Sequence, residues 1–65
     1  MNLIEGLVKE LKRNREILKL YEEIPTGAFG AAMIKQAIAA AEKSISDDDV
    51  VAMMRAYDDL KSTKE

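Results

Sequence analysis

The chain of 65 residues carries a net charge of −2 and contains neither cysteine nor histidine. These two absences exclude disulfides, thiolate chemistry and the usual zinc sites. We also expect no other metal and no cofactor. A domain this short buries only about 60% of its unfolded surface, and association with further copies of the chain is the stabilising route that remains.

The first helix is predicted over residues 2–23. Pro25 ends the helical pattern, because a proline pushes the preceding residue out of the α region. Such a helix would be about 33 Å long, whereas a compact monomer of this size is about 22 Å across. We therefore expect a second copy of the chain beside it. The apolar residues that recur on one helical face are Leu3, Ile4, Leu7, Val8, Leu11, Leu18 and Tyr21.

A glycine-rich segment, residues 25–32, separates the first helix from the second. It holds Gly27 and Gly30, with Phe29 between them. Glycine is retained where φ is positive or where another group approaches the backbone closely. The segment opens a helix whose first amides lack partners and whose dipole favours an anion. It therefore predicts an anion pocket, but a plain helix–helix turn with Phe29 in the core explains the same residues.

The second helix is predicted over residues 28–44 and is apolar on well over half of its circumference. A helix of this kind is normally buried on more than one side, so we expect neighbours from another subunit as well as from its own chain. Its strongly polar residues are Lys35, Gln36, Glu42 and Lys43.

The third helix is predicted over residues 47–62, with Ser46 as its N-cap and three aspartates in its first turn. The aspartates lack the alternating ligands and the glycine turn of a calcium loop, which favours capping over cation binding. We expect the polar residues 61–65 to fray. The predicted buried face consists of Val50, Met53, Met54, Tyr57 and Leu60.

These patterns predict one all-α domain over residues 1–65, with three helices joined by short turns, a long N-terminal helix and assembly into a helical homo-oligomer. Because no apolar run approaches about 20 residues and no signal peptide is visible, we expect a soluble intracellular protein without a membrane partner. The negative charge argues against a DNA or RNA polymer as partner. Catalysis is not expected, since a serine, threonine or lysine nucleophile needs a positioned base and none is recognisable.

Polar residues interrupt the apolar face of the first helix. Arg15 falls between Leu11 and Leu18, with Asn14 beside it. A charge in such a position needs an anionic partner, which for Arg15 is Glu22, a glutamate of another subunit or a ligand. An ion pair or a stem lying along the surface explains Arg15 equally well. A buried asparagine that fixes the register of paired helices explains Asn14.

A guanidinium, an amide, an aromatic ring and a helix start together suit a small phosphorylated ligand that carries bases. Arg15 and Lys35 would contact phosphates, and Tyr21 or Phe29 would stack on a base, although a core aromatic is the simpler interpretation of Tyr21. The candidate ligand-binding residues are Asn14, Arg15, Tyr21, Thr26, Gly27, Ala28, Phe29, Gly30 and Lys35.

Three stretches carry a resemblance to a known family: Asn14-Arg15-Glu16 with Tyr21 downstream, residues 27–34 (GAFGAAMI) and residues 49–57 (DVVAMMRAY). They resemble very short bacteriophage nucleotide-sponge proteins of the anti-CBASS type, which form small helical tetramers. The resemblance implies sequestration of a cyclic oligonucleotide without cleavage, in the cytoplasm of the infected bacterium, and a tetramer rather than a dimer.

Two functional hypotheses follow. The first is an oligomeric, non-enzymatic viral protein that binds a cyclic oligonucleotide immune signal, preferably a cyclic dinucleotide, and so blocks host antiphage defence. The alternative is a small helical protein-interaction or self-assembly module with no small-molecule ligand. Met33, Met53 and Met54 favour the alternative, because methionines suit adaptable apolar surfaces.

Overall fold

The computed structural model describes residues 2–64, which form the helices α1 (Leu3–Glu22), α2 (Ala28–Ser46) and α3 (Val50–Lys61). No strand occurs in this part of the chain. The prediction of three helices joined by short turns is therefore confirmed. The predicted domain also included Met1 and Glu65, which lie outside the described residues.

The three helices pack against one another around a single apolar core. α1 and α2 have nearly equal lengths of 20 and 19 residues, and each helix contacts both others. Because α2 lies along α1, the length of α1 does not by itself require the second copy of the chain that the sequence predicts, and assembly stays a prediction. The core consists of Leu7, Leu11, Ile17, Ile34, Ile38, Ala41, Met53, Ala56 and Leu60.

The buried face of α1 is rotated from the predicted one. Ile4 and Val8 were expected inside but are 46% and 52% exposed, whereas Gly6 and Ile17 are buried. The reason is the position of α3, whose Tyr57 ring lies against Gly6. On α3 itself Met53 and Leu60 are buried as predicted. The prediction was wrong for Val50 and Met54, which are 57% and 56% exposed, as is the neighbouring Val51 at 63%.

The junction between α2 and α3 differs most from the prediction. α2 continues to Ser46, and α3 begins at Val50 rather than at residue 47. Asp48 adopts a left-handed φ of 53°, its amide donates to the Ile45 carbonyl, and the Asp49 amide donates to the Ser44 carbonyl. This is the hydrogen-bond pair of a Schellman helix end.

The N-cap of α3 is consequently Asp49, not Ser46. Its Oδ1 accepts from the Ala52 amide at 3.1 Å, as expected of an aspartate cap. Asp47 belongs to the end of α2, where its carboxylate accepts from Lys43 at 2.7 Å. This hydrogen bond, together with the charge of Asp47, raises the pKa of Lys43 above its usual value. Two of the three aspartates thus terminate α2 and only one starts α3.

The C-terminal end of α3 is held by α1. The Arg13 guanidinium donates to the carbonyls of Leu60 at 2.9 Å and Thr63 at 3.1 Å, and it pairs with Glu10 at 2.9 Å. Lys61 is still helical. The helix ends at Lys61, and Arg13 supplies donors to carbonyls of its last turn and of the residues that follow. Fraying of the residues beyond it stays a prediction, and Glu65 lies outside the described residues.

Candidate functional site

The turn between α1 and α2, residues 23–27, is closed by its own backbone. The Ile24 amide donates to the Tyr21 carbonyl at 3.2 Å, and the Gly27 amide donates to the Ile24 carbonyl at 2.9 Å. Gly27 has a φ of −89°, which any residue adopts. A Cβ atom on Gly27 would, however, overlap the Tyr21 carbonyl oxygen. Close approach of the backbone, rather than a positive φ, explains this glycine.

α2 begins directly after this turn without a side-chain cap. Gly27 is the N-cap, and the first turn contains no acidic residue. The first helical hydrogen bond runs from the Ala31 amide to the Gly27 carbonyl at 2.8 Å. The amides of residues 28–30 come before this bond and have no acceptor within the helix. No side chain among the described residues compensates these amides or the positive end of the helix dipole at the start of α2.

The Tyr21 ring lies directly on the first turn of α2. A Cβ atom on Gly30 would come to 2.5 Å from Cε2 and 2.6 Å from Cδ2 of this ring. The tyrosine is half-buried and also packs against the apolar core. Gly30 is thus explained in the same way as Gly27: only a glycine lets the last turn of α1 and the first turn of α2 come this close.

A pocket of about 430 Å³ opens between the end of α1 and the first two turns of α2. Ligand sites commonly have volumes of about 300–1,000 Å³, so the pocket is large enough for part of a nucleotide. It contains three of the predicted site residues: Tyr21, Ala28 and Lys35. The complete lining consists of Tyr21, Glu22, Ile24, Pro25, Ala28, Ala31, Ala32 and Lys35.

A second hollow of equal volume lies between α2 and α3. Its one charged lining residue is Asp59, which would repel an anion. None of the predicted site residues lines it. The α1–α2 pocket, hereafter the Lys35 pocket, is therefore the better candidate for a negatively charged ligand.

Lys35 is the cation of this pocket. Its Nζ lies 3.3 Å from Oε2 of Glu22, and the two side chains are 60% and 47% exposed. Exposed ion pairs contribute only about 0–1 kcal/mol, because water competes with both partners. Little free energy therefore holds Lys35 to Glu22, and a phosphate that brings additional acceptor oxygens competes well for it.

The remaining predicted site residues do not line the pocket. Arg15 pairs with Glu42 of α2 at 2.8 Å, with about half of each side chain exposed. Its anionic partner is thus a glutamate of its own chain. The sequence did not indicate that this partner would lie on α2. Thr26 is exposed in the turn. Phe29 is 78% exposed, so the interpretation that places it in the core is wrong.

Asn14 lies inside the bundle and is fully buried. Its Nδ2 donates to the carbonyls of Glu10 at 2.8 Å and Leu60 at 3.1 Å, while Oδ1 has no hydrogen-bond partner among the described residues. A side chain so enclosed is not accessible to a ligand in this conformation. Its position fits the alternative of a buried asparagine that fixes the register between two helices, here α1 and α3.

Five lining residues are absent from the candidate ligand-binding residues: Glu22, Ile24, Pro25, Ala31 and Ala32. Pro25, Ala31 and Ala32 do belong to the glycine-rich segment in which the sequence predicts an anion pocket. The sequence does indicate that residues 28, 31, 32 and 35 share one face of α2, because they follow helical spacing. Glu22 was considered only as a partner of Arg15. Its proximity to Lys35 depends on the angle between α1 and α2, which the sequence pattern does not specify.

Within residues 2–64, acidic side chains form no group suited to a metal ion, and no helix is long and apolar enough to cross a membrane. Comparison with protein-family models, with curated proteins and with solved structures finds no match to this chain.

Proposed function

We propose that this chain is a non-enzymatic bacteriophage protein that binds and sequesters a cyclic oligonucleotide immune signal in the cytoplasm of the infected bacterium, as an anti-CBASS sponge. The observation that supports it most is the common pocket of Tyr21 and Lys35. An aromatic ring and a cation in one pocket suit a ligand that combines bases with phosphates. The guest that we favour is a cyclic dinucleotide.

Each part of the pocket has a role in this proposal. Lys35 binds a phosphate oxygen, and the amide of Ala28 at the open start of α2 is a further donor. Tyr21 offers an aromatic surface to a base, and Ile24 and Pro25 add apolar wall beside it. A sponge must outcompete a host effector, and nanomolar binding corresponds to about −12 kcal/mol. Charge-assisted hydrogen bonds supply interactions of the required strength when a second copy of the chain closes the pocket against water.

Assembly completes the site in this proposal. The pocket is open to solvent. Its lining residue Ile24 is 50% exposed, and Phe29, which follows the lining residue Ala28 in the chain, is 78% exposed. A second copy of the chain would cover these apolar side chains and close the pocket over the guest. We favour a homotetramer over a dimer, in keeping with the phage proteins that the sequence resembles.

A thermal-shift panel of cyclic di- and trinucleotides tests this function. A ligand that binds the folded state stabilises it in proportion to the logarithm of its excess over Kd, so we expect a large rise in Tm with at least one cyclic dinucleotide. Lys35→Gln should abolish most of this rise. Lys43→Gln is the matched control, because both lysines lie on α2 in exposed ion pairs but Lys43 is outside the pocket.

The chemical state of the bound nucleotide distinguishes a sponge from a hydrolase. After denaturation of the complex, chromatography should return the cyclic dinucleotide intact and in stoichiometric amount. Linear nucleotide products would show cleavage and would contradict the proposal. A flat Tm across the panel would contradict ligand binding itself.

The alternative function is a helical interaction or self-assembly module without a small-molecule ligand. It is favoured by the exposure of large apolar side chains on all three helices, such as Phe29 and Met33 on α2 and Met54 on α3. Such side chains mark surfaces that contact other proteins when they form a patch. This alternative predicts that the protein assembles whether or not a nucleotide is present. In the same thermal-shift panel, no nucleotide should then change the Tm.

A further inference from the structure

Glu22 stands apart from the other acids of α1 because it lines the Lys35 pocket. It is the last residue of α1, and its Oε2 lies 3.3 Å from the Lys35 Nζ. A carboxylate at this end of a helix interacts unfavourably with the helix dipole. The stability of α1 therefore gives no reason for an acid here, whereas the ion pair with Lys35 gives one.

We infer that Glu22 is a specificity-determining residue of the Lys35 pocket, which pairs with Lys35 in the free protein and whose charge selects against small, highly charged anions such as inorganic phosphate and pyrophosphate. This inference rests on the proposed function, since it concerns the same pocket. A phosphate that binds Lys35 must take the place of the Glu22 carboxylate. The ion pair between the two side chains is then exchanged for one between Lys35 and the ligand.

The electrostatic balance of this exchange gives the selectivity. Breaking the exposed pair costs little. The displaced carboxylate, however, stays on the last turn of α1. Repulsion between two unit charges at a separation of about 5 Å weakens binding by roughly fourfold in a water-like medium and by roughly two hundredfold at an effective dielectric constant of about 20. A cyclic dinucleotide offsets this repulsion by stacking on Tyr21 and by contact with the apolar walls. Inorganic phosphate and pyrophosphate lack these contacts and also carry about two and about three negative charges near neutral pH, against one for each phosphodiester of the dinucleotide, so the Glu22 carboxylate repels them more strongly.

Titration calorimetry of the full chain with a cyclic dinucleotide and with inorganic pyrophosphate tests the role of Glu22. Glu22→Gln keeps the size and polarity of the side chain and removes its charge. We expect about tenfold tighter binding of the dinucleotide and a larger gain for pyrophosphate. Glu23→Gln is the matched control, since it removes the same charge one residue further on, outside the pocket lining, and should change affinity less than about twofold.

Salt separates electrostatic selection from a structural effect of the substitution. The gain from Glu22→Gln should shrink as the ionic strength rises from about 0.05 M to 0.5 M, because the Debye length falls from about 14 Å to 4 Å. Unchanged or weaker binding of the dinucleotide by Glu22→Gln, while the wild type binds, would overturn the inference and leave the sponge proposal standing. Equal gains from Glu22→Gln and Glu23→Gln would overturn it too. If neither the wild type nor Glu22→Gln binds a cyclic dinucleotide, the proposed function itself fails.

Discussion

Gly30 determines how closely the Tyr21 ring approaches α2, because a Cβ atom at this position would come to 2.5 Å from the ring. We expect Gly30→Ala to displace Tyr21 and to distort the pocket wall. Overpacking costs about 1–3 kcal/mol, while alanine gains up to about 1 kcal/mol in helix propensity, so the net effect on stability should be a loss of about 1 kcal/mol. Urea denaturation measures this loss, and calorimetry measures the expected drop in nucleotide affinity.

Gly6 provides the comparison for this substitution. A Cβ atom on Gly6 would lie 3.3 Å from the Tyr57 ring, a tight contact that a small shift relieves. Gly6→Ala should therefore leave stability within about 0.5 kcal/mol of the wild type and leave the affinity for nucleotide unchanged. Equal behaviour of the two alanine variants would show that the close approach at Gly30 is unimportant.

Asp48 holds a left-handed backbone conformation, with a φ of 53°. Residues with a Cβ atom adopt this conformation at a cost, and a carboxylate near the C-terminal end of α2 opposes the helix dipole. We expect Asp48→Gly to stabilise the fold by about 0.5–1 kcal/mol, which corresponds to a rise in Tm of about 2–8 °C for a domain of this size.

The neighbouring aspartate is the control for Asp48. Asp47 has an ordinary φ of −84° and accepts a hydrogen bond from Lys43. Asp47→Gly removes the same charge without relieving any left-handed conformation, so thermal denaturation should show a lower Tm. An increase of equal size in both variants would assign the effect to charge alone.

The sequence predicted the individual pocket residues unevenly. Tyr21, Ala28 and Lys35 were expected at a ligand site and line the pocket. Asn14 and Arg15 were grouped with them because both interrupt the apolar face of α1. The structure separates these two, since Asn14 faces α3 and Arg15 faces Glu42 of α2. Helical periodicity shows that a polar residue lies near a buried face, but the neighbouring helices decide what it contacts.

α1 and the end of α3 are joined by Arg13, whose guanidinium donates to the last carbonyls of α3 and pairs with Glu10. Hydrogen bonds from a charged donor contribute more than neutral ones, about 1.5–3 kcal/mol each. We expect Arg13→Gln to lower the free energy of unfolding by about 1–2 kcal/mol and to speed hydrogen exchange of the amides in the last turn of α3. Lys12→Gln, which removes a neighbouring exposed charge, should leave both measurements unchanged.

The helix boundaries show where pattern reasoning succeeds and where it does not. The start of α1 and the break at Pro25 depend on local chemistry and were predicted to within a residue or so. The α2–α3 boundary was wrong because Ser46 and Asp47 suit the end of one helix as well as the start of the next. The left-handed Asp48 decided between these alternatives, and aspartate is only a weak sequence signal for that conformation.

The accessible surface of the bundle is larger than that of a compact monomer of the same mass. Its accessible surface is 4769 Å², whereas a compact monomer of this mass exposes about 4,100 Å². Large apolar side chains form part of this surface, including Phe29 and Met33 one turn apart on α2. The predicted assembly would cover these side chains. Their exposure now supports the prediction of assembly in place of the length of α1.

Light scattering tests the predicted assembly. We expect a particle of about four times the chain mass of 7.2 kDa. Phe29→Ser combined with Met33→Gln should shift it towards the monomer, because burial of these two side chains contributes about 1.5–3 kcal/mol each. A wild-type chain that stays monomeric at millimolar concentration would contradict the prediction.

Chemical-shift mapping by two-dimensional NMR shows where a cyclic dinucleotide binds on the isotope-labelled chain. Binding in the Lys35 pocket should move the amide signals of Ala28, Ala31, Ala32 and Lys35 most, while those of residues 50–54 at the start of α3 stay in place. Saturating dinucleotide that leaves every signal unmoved, or that moves chiefly the α3 signals, would contradict a guest held between the end of α1 and the start of α2.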